Sequence, residues 1–382
     1  MAYYTTIYGQ LLTLFSRLDF LNIVNSYKGD HRVRTLTCRT QFIHLLLSQI
    51  SGHDSLRDTV DSSSSLSTKL YHLGCRPVSR STLSDANNKR DSRIYEDLFY
   101  NMCQRACKLA PKYKLDLPRE LFMMDSTTID LCQNLFPWAR FRKKKSGVKV
   151  HTLLKADGLL PAFIRITDAK KHDSKVAKEM VIPKGSYLVF DKAYHDFEQY
   201  KQYKNNNIRF ITRMKTNAAF KVLKSKSTEH SNILSDEIIE FTGYITYKKY
   251  PHPLRKIVFW DEEHKRKLIF LTNDLSLAAI TIADIYKARW EIELFFKTMK
   301  QNLKIKRFIG SSENAARTQI WVAMIAYLLI SFLKFLQKSQ FSIQKILRLV
   351  RTNLFERKCL KELVTSSGSI KIQSNQIALF KT

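Results

Sequence analysis

Three carboxylates stand out in a chain whose charge otherwise runs the other way. Asp125 directly follows the apolar run Leu121–Met124, and Asp191 follows Tyr187–Phe190 in the same manner. An acid at the end of a short buried strand sits at a sheet edge, where sites form. Asp is also an ordinary turn residue at such ends, so either one alone says little. The third acid is Glu293. At about 100° per helical residue, Tyr286, Arg289, Glu293 and Lys300 fall near 0°, −60°, −20° and −40°, in one polar stripe about 60° wide. Ile285, Ile292, Phe296 and Met299 form an adjoining apolar stripe. The helix would then lie apolar side down, with its polar line at the margin of the core. A plain i,i+4 pair of Arg289 and Glu293 on a solvated face reads the same spacing.

Three carboxylates meeting at one point have a use. Mg²⁺ prefers oxygen ligands and keeps several waters, so one or two carboxylates per ion suffice. Two ions about 4 Å apart can activate an attacking water or hydroxyl and stabilise the leaving oxygen of a phosphodiester. Asp125 would bridge both ions, with Asp191 and Glu293 each holding one side. Packed carboxylates repel one another, so such a site needs positive surroundings.

Positive charge is abundant. The 382 residues carry 64 Lys plus Arg against 34 Asp plus Glu, a formal charge of +30. That balance excludes an acidic solvating tail and argues against a small-metabolite enzyme. It points to a polyanion, nucleic acid first and an anionic membrane surface second. Between Leu131 and Ala156 lie Arg140, Arg142, Lys143, Lys144, Lys145, Lys149 and Lys155, with no acid among them. Lys297, Lys300, Lys304, Lys306 and Arg307 follow Glu293 before the next acid, Glu313. Trp138, Phe141 and Phe308 interleave. Such one-sided runs beside the carboxylates fit a DNA path better than a solvated loop, and binding should weaken steeply with salt.

The elements that must hold these residues divide the chain. Residues 1–115 read as helical, with apolar faces over Gln10–Ile23 and Arg39–Ile50. Asp61–Ser67 reads as a polar loop or a capped helix start. Ser79–Asn88 reads as a turn and a helix capped at Ser81, either the second half of a helix-turn-helix or one more bundle helix. Pro111 and Pro118 mark a boundary. Short runs then suggest buried strands at Leu121–Met124, Val148–Leu154, Ala162–Ile166, Tyr187–Phe190 and Ile208–Thr212, with a helix over Lys171–Met180. Residues 216–275 read as β-rich, with strands at Ile238–Thr242, Tyr244–Tyr247, Lys256–Trp260 and Lys267–Thr272. A long helix opens at Thr281–Asp284 and runs to about Leu303, followed by helices near 313–337 and 342–355. Ile320–Leu336 approaches bilayer-spanning length but reads as a buried core helix. The six cysteines are scattered and read as buried reduced thiols. No secretory signal is legible, so the expectation is a cytoplasmic protein.

The spacing Tyr286-x₂-Arg289-x₃-Glu293-x₆-Lys300 resembles the Tyr-Arg-Glu-Lys signature of DDE transposases of bacterial insertion sequences, the insertion-sequence-four family. The surrounding IYKARWEIELFFKTMKQNLKIKRF is similar throughout. So are MMDSTTIDL around Asp125, GVKVHTLLKADGLLPAFIRIT from Gly147, HDSK from His172, VFDKAYHD around Asp191 and FITRMKTN around Arg213. Residues 4–59 resemble the helical domain that precedes the catalytic part in one branch.

The resemblance implies an α/β (mixed α+β) chain. Its RNase H-like catalytic core would be a five-stranded mixed sheet with helices on both faces. An all-helical N-terminal domain (1–115) would bind DNA ends. The core would span 116–215 and 276–382, interrupted by a β-rich insertion at 216–275. About 100 residues separate Asp191 from Glu293, far more than a parallel crossover needs, and the insertion explains them.

The resemblance also implies roles. Asp125, Asp191 and Glu293 would bind two Mg²⁺, with Mn²⁺ as a substitute. Tyr286, Arg289 and Lys300 would hold phosphates of the transposon end, with Arg213, Lys143, Lys144 and Lys145 as further DNA contacts. Trp290 reads as a core aromatic, with base stacking as the alternative, and His151 and His172 as structural. The reaction would be cut-and-paste transposition through a DNA hairpin, on terminal inverted repeats and target DNA. A homodimer on DNA, nucleoid association and no membrane complete the expectation. The competing readings are a silent DNA-binding descendant and a metal-dependent nuclease that does not join strands.

Overall fold

The computed structural model describes residues 5–365 apart from 133, 143–144, 216–217, 229, 304 and 306, and leaves the side chains of 140–142 and 145 undescribed. The helical first part comprises α1 (Ile7–Leu12), α2 (Arg17–Ser26), α3 (Cys38–Ser51), α4 (Leu56–Ser65), α5 (Ser67–Tyr71), α6 (Arg80–Lys89) and α7 (Arg93–Cys107). Thr6, Ser16, Thr37, Ser55 and Ser79 each cap a helix, the side chain accepting an amide three residues on. This satisfies one of the donors a helix start leaves unpaired.

Several local expectations change here. The Ser-rich stretch is neither loop nor helix start: 61–65 are the end of α4, which Ser55 caps and in which Ser63 donates to the carbonyl of Thr59, and α5 begins at Ser67. Residues 72–79 separate α5 from α6, so the short turn of a helix-turn-helix does not form. The cap of α6 is Ser79 rather than Ser81. Cys107 and Cys132 are exposed free thiols, not buried ones.

The sheet begins with β1 (Leu121–Leu131), β2 (Arg140–Arg142), β3 (Lys145–Lys155) and β4 (Leu160–Asp168). Then come α8 (Asp173–Ala177), β5 (Tyr187–Phe190), α9 (Phe197–Asn205) and β6 (Arg209–Arg213). In space the five main strands run β4-β3-β1-β5-β6, with β1, β5 and β6 parallel and β3 antiparallel to both β1 and β4. This is the mixed, RNase H-like core expected. The sheet continues through β7 (Phe220–Ser225), β8 (Ile233–Phe241), β9 (Leu254–Asp261) and β10 (Arg266–Thr272), in the order β6-β10-β9-β8-β7. Edge strand β7 has no core pattern. Its lysines suit an edge that must not pair. Tyr244–Tyr247 is not a strand but lies in helix α10 (Tyr244–Lys249), because a short aromatic and β-branched run has no decisive period.

Alternation sorts the side chains of the sheet. Leu121, Met123, Tyr187, Val189 and Ile211 belong to one core, Phe122, Met124, Leu188, Phe190 and Phe210 to the other. The first core includes α11 (Ala279–Ala288), α12 (Trp290–Lys297) and α13 (Glu313–Leu336); the second includes α8 and α9. Helices α14 (Ile343–Thr352) and α15 (Leu360–Thr365) are the last among the described residues. The 24-residue α13 is long and apolar enough to cross a membrane, with a mean hydropathy of 1.9, yet 78% of its apolar window is buried within the protein. It is the spine of the first core, packed on α3, α6 and α7.

Candidate active site

Strand register and parity place the first two carboxylates together. Met124 pairs with Phe190, and Val189 with Ile211. One step further along, Asp125, Asp191 and Arg213 stand level across three adjacent parallel strands. Their odd numbers put all three on the α11–α13 face, by continuation of the alternation that buries Met123, Val189 and Ile211 there. The parallel β1–β5 pairing ends at Met124 and Phe190, so the two acids stand where these strands part, although β1 itself runs on to Leu131 beside β3 and Asp125 is not a strand end. His195 fixes the neighbouring turn, its Nε2 standing 2.9 Å from the carbonyl of Arg213.

Glu293 arrives from above on α12, which packs over β1. The helix is not continuous as expected. At Arg289 the bonds shorten to i→i−3, with Arg289 N–H donating to Tyr286 and Ile292 N–H to Arg289. A π turn then spans Thr298–Asn302. Such irregular turns inside helices recur at functional sites. The tight turn sets the Arg289 guanidinium 5.6 Å from the ring centroid of Tyr286. Tyr286 is itself buried against Phe270, with ring centroids 4.8 Å apart.

Arg289 is the hinge of the cluster. Its Nη1 lies 2.7 Å from Glu293 Oε1 and 3.7 Å from Asp125 Oδ2. Its Nε is buried with no hydrogen-bond partner. The guanidinium occupies the space between two of the three carboxylates and relieves their repulsion. Among the described residues no three acidic, His or Cys side chains stand as a ready metal-binding group. Asp125 is raised to about 6, chiefly by burial, with Glu293 and Asp191 adding to the rise. The Ser126 N–H, 2.8 Å from Asp125 Oδ1, and Arg289 pull the other way.

The other residues expected at the site have varied surroundings. Lys300 is half-buried on the π turn, which Gln344 and Arg351 pin through Thr298 and Asn302. Trp290 is 51% exposed, so it is not the core aromatic its position suggested. Counted in steps of about 100°, Trp290 falls on the far side of the polar stripe from Ile285, Ile292, Phe296 and Met299, which are the residues that are buried. Lys143 and Lys144 lie outside the described residues, as do Lys304 and Lys306, and of Lys145 only the backbone is described. Lys149 and Lys155 are engaged by acids, Asp173 and Glu120. Phe136 and Phe308 pack with centroids 5.9 Å apart, and Trp138 donates to the carbonyl of Ser311. These contacts join the two basic segments, which sequence kept apart.

One group was missed. Ser126, the even neighbour of Asp125, points to the opposite face and donates to Asp173 Oδ1 at 2.6 Å. His151 Nδ1 stands 3.3 Å from Asp173, and Lys149 Nζ 3.4 Å. Burial would raise Asp173, but His151, Ser126 and Lys149 outweigh it and hold the carboxyl at about 2. The buried Tyr194 hydroxyl completes the group, its acidity suppressed by burial and then by the nearby Asp173. The signal available in sequence was the HDSK segment, but nothing in it told that Asp173 reaches back under β1.

Known proteins bear on this arrangement. Residues 116–329 match the family described as Transposase DDE domain. Residues 4–76 match a domain of unknown function, DUF4372. The protein y4zB of Sinorhizobium fredii, named a transposase, is 31% identical over 281 residues, covering 72% of this chain and 77% of that one. A protein of Geobacillus stearothermophilus, named a transposase for insertion sequence element IS5377, is 28% identical over 337 residues, 87% of this chain and 86% of that one. Among solved structures, a piggyBac transposase in a synaptic complex with hairpin DNA aligns with a TM-score of 0.47 at 11% identity, over 91% of this chain and 79% of that one.

Proposed function

The chain belongs to the Transposase DDE domain family, and from that premise we propose that it performs cut-and-paste transposition at the ends of an insertion sequence. The observation that carries the reading is the register that sets Asp125 and Asp191 level beneath Glu293. The donor set fits Mg²⁺. It is all oxygen, two of its members stand on a rigid sheet edge, and Asp125 suffers from neighbouring negative charge that a divalent cation offsets. Asp125, Asp191 and Glu293 would hold the two ions. When bound, these activate the attacking oxygen and stabilise the leaving one.

The other residues position DNA. Arg289 gives up its clasp on Glu293 and Asp125 and forks onto a phosphate, with Tyr286 as its platform. Lys300 and Arg213 add point charges on either side, and Lys143–Lys145 extend the path. Tyr286, Arg289, Glu293 and Lys300 together fit the insertion-sequence-four signature. The phosphodiester at the transposon's 3′ end is hydrolysed, and the freed hydroxyl attacks the opposite strand to leave a hairpin. Reopening and transfer into target DNA are displacements of the same kind at the same residues. Two protomers hold the two ends.

A second reading has one observation in its favour. The Arg289 clasp between Asp125 and Glu293 suits a protein that holds ends without cutting. A labelled terminal-repeat duplex with Mg²⁺ separates the two. Cleavage and joining that vanish with chelator and in Asp125→Asn support transposition. A wild type that binds the end and never cuts it supports the second reading, and cutting without joining leaves a nuclease.

A further inference from the structure

The group on the far face of β1 reaches the carboxylate site through one residue, Ser126. Its backbone polar groups turn toward β5. Glu120 sets that parity, its carbonyl accepting from the Tyr187 N–H of β5, because backbone groups two residues apart in a strand point to the same side. The pairing of β1 with β5 ends at Met124 and Phe190. The Ser126 N–H therefore lies one step beyond the last strand partner on that side. It donates to Asp125 Oδ1 instead, at 2.8 Å. Asp125 Oδ2 is the oxygen turned toward Arg289 Nη1.

The same residue is held from the opposite face. The Ser126 hydroxyl donates to Asp173 Oδ1 at 2.6 Å, and Asp173 opens α8. His151, directly across the β1–β3 ladder from Ser126, is anchored to β4, its Nε2 standing 3.0 Å from Thr167 Oγ1. Tyr194 ties in the second acid. Its N–H donates to the Asp191 carbonyl at 3.0 Å, and its buried hydroxyl completes the group around Asp173. The group thus braces the strand of Asp125 and the turn after Asp191 together. Mg²⁺ demands a near-ideal octahedron of oxygens, so the direction in which Asp125 points matters. Partners that orient metal ligands from behind typically account for about 10- to 100-fold in metal affinity.

We propose that Asp173 is a positioning residue for the carboxylate site. It clamps the Ser126 hydroxyl on one face of β1, so that the Ser126 N–H holds Asp125 on the other face in the orientation a divalent cation needs. The inference rests on the reading of Asp125, Asp191 and Glu293 as metal ligands.

The test reads metal binding directly. Mn²⁺ is titrated onto the full chain held on a pre-cut terminal-repeat duplex, and bound ion is counted by electron paramagnetic resonance. Ser126→Ala and Asp173→Ala should each weaken Mn²⁺ binding by about ten-fold. The double substitution should weaken it no further than either one, because both break the same tie. Ser126→Thr keeps the hydroxyl and should restore wild-type affinity. Melting temperatures are recorded alongside, and Ser126→Ala, the smaller change, carries the test if Asp173→Ala fails to fold. Unchanged Mn²⁺ affinity in Ser126→Ala overturns the proposal. So does a lowered melting temperature with intact Mn²⁺ affinity, which would make Asp173 a scaffold residue only. Effects that multiply to about a hundred-fold in the double substitution also overturn it, since the two residues would then act by separate routes. The wild type is scored first. If it binds no Mn²⁺ that Asp125→Asn removes, the metal reading falls and the inference with it. Wild-type binding that ignores both substitutions sinks the inference alone.

Discussion

Two sides of one strand behave oppositely. On the α12 side of β1, Asp125 is raised to about 6, Arg289 has an orphaned Nε, and a single guanidinium shares itself between two acids. On the other side, one residue along, Asp173 is held at about 2 by a hydroxyl, an imidazole and a lysine. The first cluster is under-compensated and ready to exchange partners. In the second the charge of Asp173 is compensated by its neighbours, although His151 Nδ1 and the Tyr194 hydroxyl have no hydrogen-bond partner. A site that must admit ions and phosphates needs the first condition, and a strand that must hold Asp125 in place needs the second.

Substitutions can break this comparison. Asp125→Asn should abolish cleavage, by at least about 10³-fold or ~4 kcal/mol of barrier, while DNA binding and melting temperature stay near wild type. A large loss of stability would show that Asp125 belongs to the scaffold. Arg289→Lys keeps the charge but loses the fork. Single-turnover cleavage should fall by roughly 10- to 100-fold, about 1.4–2.7 kcal/mol of barrier, with end affinity changed far less.

Asp173→Asn should act on stability first. Its folded value near 2 lies below the ordinary carboxylate range, so its contribution is whole above about pH 4 and disappears as pH falls through 2. Denaturant melts should show the variant about 2 kcal/mol less stable at pH 6, with the gap closing from pH 4 downward. A gap that widens in acid would contradict the compensation of Asp173 by its neighbours. Trp290→Ala is the mildest test. The ring is half-exposed, so stability should hold. End affinity should fall roughly five-fold, near the low end of ~1–3 kcal/mol for a base stacked on an aromatic ring.

Much of this was legible in sequence because it depends on short-range pattern. Tyr187–Phe190 and the strand end at Asp191 follow from apolar runs, and α13 from its length and composition; Asp125 does not end its strand as expected, because β1 runs on to Leu131 paired with β3. The signature spacing named Arg289 and Glu293 as neighbours on one helix face. Long-range partners were not legible. Nothing local ties Ser126 to Asp173, or Phe136 to Phe308, because those contacts arise from the crossover paths of separate segments. Trp290 was misjudged within one helix: fixed steps of about 100° already set it away from the stripe of Ile285, Ile292, Phe296 and Met299, all of them buried, and the structure leaves it half-exposed.

By itself, then, the sequence determined which acids could meet and that a strongly basic chain would surround them. Residue parity along each strand follows from the peptide geometry, so Asp125, Asp191 and Arg213 were bound to share a face once their strands were aligned. Only the tertiary structure decided that alignment, and with it which cation stands between the acids. Register and helix phase are set by packing across the whole sheet, and packing sums over residues that no local window contains.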